Sequence, residues 1–313
     1  MTGFILKRIA ATIPVLLIVA VLVFLMLRLT PGDPAAIIAG DAASEENIRQ
    51  IREQLGLEKP LPVQFGIWFS QLVQGELGES YYFKMQVTEL IAQRLEPTFA
   101  LAFVTIILAV SVSVPLGVLA AWRHGGWLDR ALMGFSVLGF SLPVFVIGYL
   151  LIWLVSIKLE WLPVQGYSRI ADGFIPFVRH IILPSLALAV IYIALIARVT
   201  RAAVSEVLTE DYVRTARAKG LPELRVLIRH ALANAAVPIV TVIGIGIALL
   251  IGGVVVTESV FGIPGLGRLT VDAVLARDFP TIQGVILFFS FVYVLINLLV
   301  DLSYLVFDPR IRY

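Results

Sequence analysis

Three histidines, His124, His180 and His230, are the residues of this sequence most able to hold a metal or pass a proton. They lie far apart and have no partner at ligand spacing. The chain has no cysteine, so neither a thiolate metal site nor a disulfide framework can form. No serine stands with a histidine and a carboxylate in a pattern that points to nucleophilic catalysis. No G-x-x-x-x-G-K-[ST] loop is present to cradle a nucleotide phosphate. Catalytic residues, a metal site and a cofactor site are therefore not expected. If this chain moves a solute uphill, the energy has to come from another chain. What remains is a charged, alanine-spotted run, TEDYVRTARAKG at residues 209–220, set between long apolar stretches.

Those stretches define the fold class. Hydrophobic residues make up 59% of the 313 and charged ones 15%, with a mean hydropathy of +0.94. That is the composition of an integral membrane protein. A net charge of +2 is too small to imply nucleic acid. A membrane helix needs about 20 apolar residues, and six stretches qualify: 9–29, 98–121, 132–157, 181–203, 237–257 and 284–307. No strand is needed, so the chain is expected to be an all-α polytopic membrane protein with six transmembrane helices. The first stretch follows Lys7 and Arg8 as a signal peptide would. Its apolar part is longer than a usual signal core and no small-residue cleavage site follows, which predicts an uncleaved anchor.

Lysine and arginine in the short loops set the orientation. Lys7 and Arg8, Arg123 and Arg130, the seven cations between the fourth and fifth spans, and Arg310 with Arg312 all fall on one side of six spans. Both termini are then expected in the cytoplasm, and the acid-rich stretch from Thr30 to Pro97 outside. Within it, SEENIRQIREQLGL predicts a short helix with Ser44 as N-cap and Gly56 at its end. Small residues recur every four positions as Ala109, Ser113, Gly117 and Ala121 on the second span and as Gly244, Ala248 and Gly252 on the fifth. Such stripes let helices approach closely in lipid. Pro115, Pro143 and Pro184 are places where spans could kink. The span middles carry no Asp, Glu, His, Lys or Arg, and Asn297 and Asp301 near the end of the sixth are the closest polar candidates.

In the charged run, Thr209 is read as N-cap. Glu210 and Asp211 place negative charge in the first turn, Lys219 places positive charge in the last, and Gly220 takes the left-handed joint. Few large apolar residues support this helix, chiefly Tyr212 and Val213, while Ala216 and Ala218 leave room for close approach. After Pro222 and Glu223, Leu224, Leu227, Ile228, Ala231, Leu232 and Ala235 follow helical spacing, which predicts an amphipathic second helix along the inner interface. The two make a hairpin facing the cytoplasm. On spacing alone, an ordinary basic loop explains the run equally well.

The segment EDYVRTARAKGLPELRVLIRHALANAAVP resembles the cytoplasmic EAA loop of binding-protein-dependent ABC importer permeases, in the dipeptide, oligopeptide and nickel branch. The family pattern falls on Arg214, Thr215, Ala216 and Gly220; the last two match and the first two depart. Glu210 or Asp211 stands close to the missing glutamate. TPGDP, LGLEKPLPVQF, GELGES, GFSLPVF, TESVFGIPGLGRLTVDAVLARDFPTIQG and NLLVDLSYLVFDPRIRY extend the resemblance, in order, to the B-type permease of such systems.

The resemblance implies a type I ABC importer, MetI-like core in the bacterial inner membrane, divided as an N-terminal helix with a long outer segment over 1–97 and a five-helix permease core over 98–309, its EAA-type loop at about 209–238. It implies a homologous second, C-type permease, two ABC ATPase subunits, separate or fused, that bind ATP and Mg, and an extracytoplasmic solute-binding protein. It also implies that Glu210, Asp211, Tyr212, Arg214, Thr215, Ala216, Arg217, Ala218, Lys219 and Gly220 form the ATPase-coupling helix. Di- or oligopeptides are the expected cargo, with nickel, glutathione, opines or sugars as alternatives, and the substrate-path residues are left open. SVFGIPGLGRL is expected at the outer mouth, as a gate or a re-entrant turn. Three other classes remain as contrasts. An ion-coupled carrier needs an ionisable group within the spans, a scaffold needs no ATPase, and a channel needs a filter.

Overall fold

The apolar stretches fold as helices that outrun the bilayer. In the computed structural model, which describes residues 2–29, 34–39, 44–54 and 56–307, the elements are α1 (Thr2–Leu29), α2 (Pro34–Ala39), α3 (Glu45–Gln54), α4 (Leu61–Val73), α5 (Val87–Trp122), α6 (Trp127–Ser141), α7 (Val144–Leu151), α8 (Phe174–Val207), α9 (Asp211–Ala218), α10 (Glu223–Arg225), α11 (Ala236–Phe261), α12 (Leu266–Leu275) and α13 (Phe279–Phe307). Wider π-helical turns continue α7 over Ile152–Lys158 and α10 over Val226–Leu232. At 34 residues α8 is about 51 Å long, against a hydrocarbon core of about 30 Å, so the helix extends beyond the core. The expectations for Thr30–Asp33 of TPGDP and for Arg310 and Arg312 fall outside the described residues.

Among the described residues, five helices are long and apolar enough to cross a membrane, and the pair α6 and α7 makes a sixth if taken as one span. The expected third span, 132–157, is therefore not one rod. Its two halves meet at 102°. Leu142 sits in an extended conformation and Pro143, also extended, caps α7. The cause is local, because the proline ring pushes the residue before it out of the helical region. Pro115 and Pro184 instead lie inside unbroken helices.

The chain forms two compact units, one of residues 97–264 with 296 onward, the other of 2–96 with 265–295. Residues 265–295 pack with the N-terminal part because Leu266, Leu269 and Val285 are buried with Val87, Leu90 and Ile91. In the first unit α8 is the central helix, with 61% of its most apolar window buried. Its residues Ile181, Leu188, Tyr192 and Ile196 share one core with Leu101, Leu250 and Ile263. Ser136 donates to the Ala194 carbonyl at 3.2 Å where α6 crosses it.

The stripe on α5 is buried along its length and crosses α8 at Gly117, where a Cβ would stand 2.7 Å from the Thr200 Cβ and 2.8 Å from the Ala197 oxygen. On α11 the stripe stops early. Gly244 lies against Val300 and Ala248 is buried, but Gly252 faces outward with nothing near it. The close approach to α8 is made instead by Gly246 and Gly253, against Tyr192 and Leu188. A four-residue repeat drifts around an α-helix, which has 3.6 residues per turn, so the third member leaves the face.

In the second unit, α3 forms as expected, with Ser44 Oγ accepting from the Asn47 amide at 3.3 Å and Gly56 at φ +61° closing its end. Asp278 ties the 80–83 turn to the start of α13: its carboxylate accepts from the Ser80 hydroxyl, from Thr281 Oγ1 at 2.6 Å and from the Tyr81 amide at 3.3 Å. Burial, then the charges of Asp278 and Glu79, push the Tyr81 phenol above its usual range.

Gly117→Ala is expected to destabilise the chain by about 1–3 kcal/mol through overpacking. Gly252→Ala should be neutral or slightly stabilising, since alanine favours the helix by up to about 1 kcal/mol. Thermal unfolding of the purified variants compares the two, and equal midpoints would remove the α5–α8 contact as a tight crossing.

Candidate functional site

The charged run folds as an eight-residue helix, α9, bounded by Glu210 and Lys219. The N-cap is Glu210 rather than Thr209, whose hydroxyl turns back to the Glu206 carbonyl at 2.7 Å. So short a helix is marginal by itself, and two features hold it. Val213 and Ala216 are buried with Val226, beside Val207, Leu208 and Leu221. At the far end Gly220, at φ +76°, makes the left-handed joint. The Leu221 amide reaches back to the Ala216 carbonyl at 3.3 Å and the Gly220 amide to the Arg217 carbonyl at 2.9 Å. These are the two bonds of a Schellman ending, and Leu221 covers Ala216 as its apolar contact.

Of the residues expected to act together, the structure divides two groups. Ala216 is turned inward, so its small side chain serves the packing of α9 on its own chain. Asp211, Tyr212, Arg214, Thr215, Arg217, Ala218, Lys219 and Gly220 form the outward surface, with Glu210 at its edge. Arg214 pairs with Asp211 at 3.1 Å and Arg217 with Glu223 at 2.6 Å. Both pairs are exposed and add little to stability. Partial burial and the Glu210 carboxylate push the Tyr212 phenol above its ordinary pKa, leaving it a neutral hydrogen-bond donor.

The second arm of the hairpin departs from the expected face. Leu227, Ala231 and Ala235 are buried, with Val226 beside them, but Leu224 and Ile228 face outward. The π-helical stretch widens each turn, which slips the apolar face by about one residue. Leu227, Ala231 and Ala235 pack with Val204 of α8, Val118 and Ala121 of α5, and Ile239 of α11. The hairpin is thus locked to three long helices through continuous side-chain contact.

One buried ion pair beside this surface was not singled out from the sequence. Arg201 grips Asp129 with both prongs, Nε to Oδ1 at 2.9 Å and Nη2 to Oδ2 at 2.8 Å, and the Gly125 amide adds a bond to Oδ2 at 2.9 Å. Asp129 is 4% exposed. The Nδ1 of His124 lies 2.9 Å from Arg201 Nη2, and because a guanidinium only donates, Nδ1 is the acceptor. This pair ties the α5–α6 turn to α8 at Arg201, six residues before that helix ends at Val207. Arg201 and Arg130 attract attention in the sequence only as topology signals, and Asp129 carries no repeat that would mark it.

The other two histidines stand apart from this one. His180 Nδ1 faces the Pro176 carbonyl at 2.8 Å, and His230 lies in the hairpin. Asp301 is half-buried in α13. Glu258, one residue beyond the expected fifth span, lies inside α11 and is fully buried, accepting from Thr98 Oγ1 at 2.6 Å. Around it the SVFGIPGLGRL segment is a fixed turn: Gly262 ends α11 at φ +62°, and the Gly166 amide bonds the Phe261 carbonyl at 2.9 Å.

Comparison with known proteins places these features in context. The family described as binding-protein-dependent transport system inner membrane component matches residues 113–313, and its N-terminal counterpart matches residues 1–102. A probable peptide ABC transporter permease of Sinorhizobium fredii is 56% identical over 310 residues, 99% of each chain. A putative peptide transport system permease of Brucella abortus and a glutathione transport system permease, GsiC, of Pectobacterium atrosepticum are each 46% identical over 313 residues, the full length of both chains. Among solved structures, the MetNI methionine ABC transporter in an inward-facing conformation superposes with a TM-score of 0.59 at 18% identity, covering 70% of this chain and 96% of the other.

Asp129→Asn keeps the shape of the buried pair and removes its charge, and Arg201→Lys keeps the charge but loses the fork. Both are expected to lower the thermal midpoint. An effect of about 1–3 kcal/mol is the scale for a buried polar group left short of its partner. Unchanged midpoints in both would mean that the pair does not hold the α5–α6 turn to α8.

Proposed function

We propose, on the premise that this chain belongs to the family of binding-protein-dependent transport system inner membrane components and is a permease subunit of an ABC importer, that α9 is the element through which ATPase subunits drive it. The observation that carries the reading is the division of α9 into two faces. Its inner face is locked by Val213, Ala216 and Val226, and its outer face of Asp211, Tyr212, Arg214, Thr215 and Lys219 is left uncovered. A short helix held rigidly from behind and bare in front fits the groove of a partner, as helix-in-groove recognition requires.

On this reading both termini and α9 lie in the cytoplasm. Two ABC ATPase subunits, separate or fused, bind ATP and Mg, and this chain contributes no group to that chemistry. A homologous second permease completes the path, and an extracytoplasmic solute-binding protein delivers the cargo. Closure of the ATPase pair displaces α9, and the packing of Val226, Leu227 and Ala231 onto Val204 and Val118 passes the movement into α8 and α5 as a rigid-body shift. Gly220 sets the angle between the arms. The cargo is a short peptide. Relatives named for peptide transport, and one named for glutathione, itself a tripeptide, support that choice.

Two variants test the assignment. Arg214→Glu combined with Lys219→Glu reverses charge only on the uncovered face. It should abolish co-purification of the ATPase subunits while the second permease still co-purifies. Gly220→Val places a β-branched residue at a positive φ where no neighbouring atom crowds the side chain, so the strain is confined to the joint. Assembly should survive, with ATP hydrolysis continuing and uptake into proteoliposomes lost. Wild-type uptake by Gly220→Val in a normally assembled complex would remove α9 and its joint from the coupling role.

A further inference from the structure

The segment between α1 and α5 is expected in water on the sequence reading, yet one of its helices is not built for water. From Pro60 to Gly75 there is no charged residue, and α4 runs through this stretch as LPVQFGIWFSQLV. Its inner face, Gln64, Phe65, Trp68, Phe69 and Leu72, is turned to the rest of its unit. Phe65 and Trp68 pack on Phe24 of α1 with ring centroids 5.2 and 5.6 Å away, and Gln64 accepts from Arg28 Nε at 3.2 Å. Its opposite face, Val63, Gly66, Ile67, Ser70 and Val73, is also mainly apolar and is uncovered, with Val73 72% exposed. A helix that is apolar all round belongs in a protein core or in lipid.

The position of α4 along α1 selects between those. Gln64 stands beside Arg28, Trp68 beside Phe24, and Phe69 and Leu72 share a groove with Leu17 and Ala20. α4 therefore descends antiparallel to α1, from the Arg28 end toward the middle of the Lys7–Leu29 span. The groove below it, about 580 Å³ in volume, is walled by Ile13, Leu16 and Leu17 of α1 and Leu287, Phe288 and Phe291 of α13. Its walls are surfaces of two membrane-spanning helices that the chain itself leaves largely bare, with 17% and 6% of their apolar windows buried. The groove thus opens between surfaces that a bilayer would contact, and the uncovered face of α4 lies on the side of that helix turned away from it. Arg28, its guanidinium 3.8 Å from the Phe24 ring centre, marks the level where a cation can reach the interface.

We infer that α4 is a membrane-embedded helix, its uncovered face on phospholipid in the leaflet at the Leu29 end of α1, and that an acyl chain fills the groove between α1 and α13 beneath it. On the orientation proposed above that leaflet is the extracytoplasmic one; contact with lipid itself does not depend on the orientation. A helix without a charged residue and apolar on both faces suits insertion beside α1 rather than a place in the plane of the interface. Lipid would then brace the α1–α4 pair that leads into the outer end of α5.

Because the chain has no cysteine, a single nitroxide at Ile67→Cys or Val73→Cys reads this directly in the assembled transporter in proteoliposomes, with Tyr82→Cys as the exposed reference. Power-saturation measurements with oxygen and with a water-soluble nickel chelate separate the outcomes. Oxygen collisions exceeding nickel collisions several-fold at positions 67 and 73, and the reverse at 82, are expected. Nickel collisions as frequent as at position 82 would place α4 in water and overturn the inference. Low collision rates with both agents would place that face against another protein and overturn it equally. A second label at Leu17→Cys should broaden on adding phospholipid spin-labelled along its acyl chain, and the absence of broadening would empty the groove. Neither outcome bears on ATPase coupling, which is read at α9.

Discussion

An eight-residue helix cannot keep its shape in water unless something else holds it, because nucleating the first turn costs more than so few hydrogen bonds return. The α9 hairpin depends on how that deficit is met. Val213 and Ala216 supply one buried edge, Val226 closes it from the other arm, and the left-handed Gly220 lets the chain reverse without a side-chain clash. At Gly220 the chain turns back so that the arm carrying Val226 covers Val213, and that cover shields the two Schellman bonds at the end. The polar outer face, with its two exposed ion pairs, adds little to that fold.

Within the bilayer a different constraint governs, since lipid tails are as apolar as leucine and give helices no hydrophobic reason to associate. The first unit answers it in two ways. Gly117 brings α5 close to α8 at Ala197 and Thr200, and Gly246 and Gly253 bring α11 close to Tyr192 and Leu188 of the same helix. At the ends, buried carboxylates take over. Asp129 joins the α5–α6 turn to α8 through Arg201, and Glu258 joins α11 to α5 through Thr98. The second unit repeats the device with Asp278 and Ser80. Such pairs are costly to desolvate and contribute more to fixing geometry than to net stability. Through its Arg201 pair α8, which runs on into the α9 hairpin, is fixed against the α5–α6 turn.

Much of this was legible in the sequence, and the limits follow physical lines. Spans were readable because twenty apolar residues have no other common use, and α9 because Glu210, Asp211, Lys219 and Gly220 carry end signals that depend on neighbours only a turn away. The break at Pro143 was visible as a proline but not as a right-angle bend, since Pro115 and Pro184 carry the same signal and their helices run on. What differs is the extended conformation of both Leu142 and Pro143, which packing of α7 on α11 and α8 selects. The second arm of the hairpin was misphased for a similar reason. Leu224 and Ile228 fit a 3.6-residue period, and only the three-dimensional packing reveals the π-helical turns that send them outward.

The carboxylates were hidden for a more general reason. Asp129, Glu258 and Asp278 find their partners 72, 160 and 198 residues away, and no local pattern encodes a partner at that distance. A position-by-position reading sees Glu258 as an acid just past the end of a span, where water would serve it. The structure encloses it completely, because Thr98 and the turn at Gly262 close over it. An ion-coupled carrier would also bury a carboxylate in a membrane helix. Here it sits one turn from the end of α11 and accepts from a hydroxyl of α5, so it ties the two helices together. Joined at that point, α5 and α11 cannot slide past each other without breaking a buried hydrogen bond, and that is the mechanical constraint a long-range polar contact adds to apolar packing.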